Sequence, residues 1–164
     1  GKAPRLHPRI PELVKENLES SGYSPTIITI IVPEIDITSN LSANEKSALS
    51  SALNIFKSTY QNLYDLSISL DTSIKTETDC KLELNDISSS VNKVKTTFDA
   101  TFSSKLTNST LNVKLKLDNL CEILTELIDY TATSSVPFAS KLKYTYLETI
   151  NLNKSLCKEI NNEI

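Results

Sequence analysis

A chain of 164 residues with 39% hydrophobic and 23% charged residues suits one globular domain with a real core. Its net charge of −3 argues against generic nucleic-acid binding, which needs a basic footprint. No apolar run approaches the roughly 18–20 residues required to span a bilayer.

Residues 1–9 carry the one cationic cluster, Lys2, Arg5, His7 and Arg9, interspersed with Pro4 and Pro8. Proline fixes an extended backbone there, so this part reads as a solvated arm. Pro11 suits the first position of a short helix, where a missing amide proton costs nothing. Ile10, Leu13, Val14 and Leu18 share one face, and Gly22 supplies the stop. Thr26 to Val32 is rich in β-branched residues and reads as extended. With no second strand to pair with, it is expected to cross the surface of the fold.

From Pro33 to Pro137 the pattern changes, because no glycine or proline lies between them. Ordinary usage would place roughly a dozen there. Leucine, isoleucine and valine recur every three or four residues instead, which predicts long packed helices.

The first opens with Ser42 and Glu45 at capping-box spacing. Its stripe runs through Leu49, Leu53, Phe56, Tyr60, Leu63, a polar Ser67, Leu70 and Ile74. Polar residues 71–79 form the expected reversal, with one continuous helix as the alternative. The second helix carries Cys80, Leu84, Ile87, Val91, Val94, Phe98 and Phe102. A second reversal falls at 105–110, where Asn108, Ser109 or Thr110 is able to cap the third helix. That helix sets Val113, Leu117, Leu120, Leu124 and Leu127 in register, widened by Cys121 and Ile128. After a loop at 132–135, Pro137 starts a fourth helix with Phe138, Leu142, Tyr146, Ile150, Cys157 and Ile160 on its stripe. Asn153 interrupts that seam.

The expected fold is therefore all-α: an antiparallel, up-down-up-down four-helix bundle over residues 42–164. Residues 1–41 add an arm, a short helix and an extended segment packed against it.

Chemistry is sparse. His7, the single histidine, lies in the arm, leaving no histidine for a catalytic pair, a zinc site or a Glu-x-x-His di-metal centre in the helices. No glycine-rich phosphate loop exists. Glu122, Glu126 and Asp129 share a face, read as a solvated edge. No cofactor and no enzymatic activity are expected.

Cys80, Cys121 and Cys157 are too far apart for a CxxC motif. They read as buried thiols, with one intramolecular disulfide or an intermolecular bond as alternatives. Asn40, Asn108 and Asn153 head glycosylation sequons. The chain starts with glycine and lacks methionine, so a processed start with a removed signal peptide is expected. That places the protein outside the cell or on its surface.

Aromatic residues Tyr60, Tyr64, Phe98, Phe102, Tyr130 and Tyr146 are the candidate ligand-binding set, with Tyr144 beside them. Tyrosines with an apolar body and a polar tip suit a pocket mouth or an interface, or simply a core boundary. Two functions follow as expectations: binding of a protein partner by a helical face, with a homodimer possible, or carriage of a fatty acid or other apolar ligand between the helices.

Overall fold

The computed structural model describes residues 41–103 and 108–163. Expectations that fall on residues 1–40 and 104–107 lie outside them. Among the described residues there are four helices and no strand: α1 (Ala43–Asp71), α2 (Glu77–Thr101), α3 (Asn108–Ile128) and α4 (Phe138–Glu163). Each packs on its neighbours in sequence, α4 closes back onto α1, and α1 also meets α3 across the middle.

Local chemistry sets the helix ends. Ser42 Oγ accepts from the Glu45 amide at 3.1 Å, and Glu45 Oε1 accepts from the Ser42 amide at 2.9 Å. Two otherwise orphaned amides of α1 are thus satisfied reciprocally. Thr76 and Asp79 repeat the arrangement at the start of α2, at 3.1 and 3.0 Å.

Between these helices the chain reverses without glycine. Ser73 takes a left-handed φ of 61°, a strained choice costing roughly 1–2 kcal/mol in a residue that carries a Cβ. Thr72 offsets it by donating its hydroxyl to the Ile68 carbonyl at 2.7 Å, and the Lys75 amide bonds Ser69 O at 3.0 Å. The continuous-helix alternative is therefore excluded. Ile74, expected at the end of the α1 stripe, sits in this turn and is 73% exposed. A side chain in the reversal has left the helical period that would have carried it inward.

The core is mainly aliphatic, with phenylalanine and tyrosine rings among its leucines. Val113, Leu117, Leu120, Leu124 and Leu127 of α3 are fully buried, as the stripe predicted. They meet Phe56 and Leu63 of α1, Leu84, Val91 and Phe98 of α2, and Leu142 and Ile150 of α4 in one cluster. Burying each such side chain stabilises the fold by roughly 1.5–3 kcal/mol. Leu53, Leu70, Ile87 and Val94 lie only half-buried at the edges. In α4 the inward face also takes Thr149 and Leu156, which the expected stripe omitted.

Six serine and threonine hydroxyls of these helices are satisfied within their own helix. Ser67, Thr96, Thr101, Thr125, Thr145 and Thr149 each donate to the carbonyl four residues back, at 2.8–3.0 Å. This pattern removes the penalty of a buried hydroxyl and explains how Ser67 and Thr149 enter the core.

The α3–α4 loop is held by a clasp. Tyr130 donates its hydroxyl to Val136 O at 2.7 Å, and the Val136 amide donates to Thr133 Oγ1 at 3.0 Å. Pro137 precedes α4, its carbonyl accepting from the Ser140 and Lys141 amides.

Candidate functional site

The six candidate aromatic residues separate into three places. Tyr60 and Tyr64 stand one turn apart on α1, facing Tyr146 of α4. The Tyr64 and Tyr146 rings are tilted by 43° with centroids 5.5 Å apart. Burial, followed by the neighbouring phenols of Tyr64 and Tyr60, pushes the Tyr146 hydroxyl well above the usual tyrosine range. Tyr60 is raised by burial and then by Cys157, and Tyr64 by burial and then by Asp65. All three phenols are neutral at physiological pH. They offer hydrogen bonds and apolar ring surface, not a nucleophile or a base.

Phe98 and Phe102 form a separate pair at the end of α2, with centroids 4.7 Å apart. Tyr130 belongs to the loop clasp: its carbonyl accepts from Lys81 Nζ at 3.3 Å, and Lys141 Nζ stands 5.7 Å from its ring. The expected single aromatic set is thus not gathered, because helical register along α1 and α2 spreads these residues over different layers.

Around Tyr130 lies an arrangement that sequence reasoning missed. Lys141 is almost wholly buried, its ammonium between the rings of Tyr130 and Tyr144 and 3.9 Å from Glu126 Oε2. Lys143, equally buried, pairs with Asp71 Oδ2 at 3.0 Å. Lys81 stands 5.4 Å over the ring of Phe138. Paired and ring-facing ammoniums are the condition under which lysine tolerates burial. Nearby, burial raises the Glu148 carboxyl, with Lys141 opposing and Glu126 reinforcing.

All three cysteines are free, so the intramolecular disulfide is not formed. Cys80 and Cys157 are core residues, whereas Cys121 is only half-buried. Burial raises all three thiols. The Asn153 sequon is corrected as well: this side chain is 4% exposed on the inward side of α4, where a folded chain has no room for a glycan. Asn108 is the first residue of α3, and Asn40 lies outside the described residues. Glu122, Glu126 and Asp129 are solvent-exposed. Among the described residues no three histidine, cysteine or acidic side chains are grouped to hold a metal ion, and no helix is long and apolar enough to cross a membrane.

Among the described residues, large apolar side chains are also exposed at Leu82 of α2 and at two positions of α3. Leu111 and Leu115 lie one turn apart on the side of α3 opposite Val113 and Leu117, and are 39% and 49% exposed. Their spacing off the core stripe was readable in the sequence. Comparison with known protein families, with characterised proteins and with solved structures finds no match for this chain.

Proposed function

We propose that the chain is a non-enzymatic, secreted or surface-exposed helical bundle that acts by binding a protein partner. The observation carrying this reading is the Leu111–Leu115 pair. Two large apolar side chains displayed one turn apart on an outward helix face match the anchor spacing of helix-mediated recognition. The alternative, carriage of an apolar ligand, is favoured by the Tyr60–Tyr64–Tyr146 group between α1 and α4, which has the chemistry of a pocket mouth.

One finer feature of the fold belongs to the same proposal. The helices alternate in direction, a reading supported by cross-helix pairs whose numbers run oppositely: Asn92–Cys121, Lys95–Asp118 and Asp99–Lys114, and likewise Tyr64–Tyr146 and Asp71–Lys143.

Affinity capture with the wild-type chain and with a Leu111→Asp/Leu115→Asp variant tests the partner reading. The expected result is one partner enriched by the wild type and lost from the variant, with unchanged helicity and melting. Retention of the same proteins by both baits overturns it. Native mass spectrometry decides the alternative: a co-purified acyl chain establishes a carrier, and bare polypeptide excludes one.

A further inference from the structure

We infer that a polar seam between α2 and α3 selects the register of these two helices. Its three rungs are Asn92 with Cys121 (3.6 Å), Lys95 with Asp118 (3.3 Å) and Asp99 with Lys114 (3.5 Å). Lys114 also reaches Asp118 Oδ2 at 4.0 Å along its own helix. The charges reverse from rung to rung: the cation lies on α2 in one and on α3 in the next.

That reversal makes the pairing selective. Sliding α2 by one turn in one direction brings Lys95 opposite Lys114. Sliding it the other way brings Asp99 opposite Asp118. Each slip therefore replaces attraction with a like-charge contact, the device by which charges flanking a helical seam choose among similar packings.

The hydrophobic layers of α3 contribute little to this choice, although the unequal Cys80, Leu84, Val91 and Phe98 of α2 favour one alignment as well. The fully buried α3 positions are Val113, Leu117, Leu120, Leu124 and Leu127, side chains of similar size and shape. Uniform leucine layers pack acceptably in more than one register. Burial sharpens the electrostatic choice. Asp99 Oδ1 and Asp118 Oδ1 are shielded from solvent and lack a directed hydrogen bond. The facing ammonium is what compensates them, and a slip would leave them without it. The four side chains are still about one-third exposed, so such pairs add little to total stability. Their effect lies in which alignment is populated.

Charge inversion on one helix and then on both tests the inference. The half-inverted variant, Lys95→Asp with Asp99→Lys, faces like charges across both rungs. It is expected to lose the single sharp set of α2 and α3 amide resonances and to melt about 5 °C lower. The fully inverted variant adds Lys114→Asp and Asp118→Lys, restores every pair with opposite polarity, and is expected to recover both. A half-inverted variant with the wild-type spectrum and melting point overturns the inference. So does a fully inverted variant no better than the half-inverted one. If the half-inverted chain fails to fold, recovery in the chain with twice as many substitutions still decides the matter.

Discussion

Thr59 is 1% exposed, and its hydroxyl has no hydrogen-bond partner. Buried Ser67, Thr145 and Thr149 escape that position by donating to the carbonyl four residues back. An unsatisfied buried hydroxyl costs on the order of 1–3 kcal/mol, and valine has nearly the same shape. Thr59→Val is therefore expected to stabilise the chain by about 1 kcal/mol in urea unfolding, and a loss of stability would refute this account. The three thiols give a second residue-scale prediction. Cys121 is the accessible one, its sulfur 3.6 Å from Asn92 Oδ1, while Cys80 and Cys157 are in the core. A thiol reagent added to native protein should modify Cys121 first and the other two only as the chain unfolds. Lys95 favours the Cys121 thiolate but is outweighed by burial, so the reaction should remain slow at neutral pH.

The helix ends show how much local sequence decides. Ser42-x-x-Glu45 and Thr76-x-x-Asp79 close their boxes through contacts within four residues, which no tertiary neighbour has to supply. Ser42→Ala and Thr76→Ala should each lower stability by about 1 kcal/mol. The second box also carries a pH signature. Bonds from the Thr76 amide and hydroxyl hold the Asp79 carboxyl below its ordinary value, with Lys75 adding a smaller push in the same direction. A depressed folded pKa gives stability that is present above the unfolded value of about 4 and lost as pH falls through the folded one. The stability gap between wild type and Asp79→Asn should accordingly narrow below about pH 4, and a gap that widens there would contradict the assignment. Reversal of the chain after Asp71 was legible from its polar run, but the exposure of Ile74 was not. Whether an apolar residue near a helix end turns inward depends on the residue where the helix stops, here fixed by Ser73 adopting a left-handed backbone.

At the scale of the whole molecule, one cluster joins all four helices, so a cavity in any layer is felt throughout. Leu120→Ala removes a fully buried side chain from α3 and should cost about 2–5 kcal/mol, read as a lower denaturation midpoint with an unchanged slope. A cost below 1 kcal/mol would mean that the layer collapses around the gap. Burial of Lys141 and Lys143 belongs to this scale too. Neither lysine differs in sequence from the exposed ones, and each is accommodated by groups far along the chain: Tyr130 and Glu126 for one, Asp71 for the other.

Residues close together in the chain determined the helices, their caps, the reversal after α1 and the leucine stripe of α3, because those features depend on periodicity and on contacts within a turn or two. Tertiary structure alone decided which aromatic residues meet, that Asn153 faces inward, that the cysteines stay unbridged and that two lysines are buried. Each of those outcomes depends on the axial alignment and facing of different helices, and a pattern repeating every three or four residues is nearly unchanged when one helix slides a turn along another.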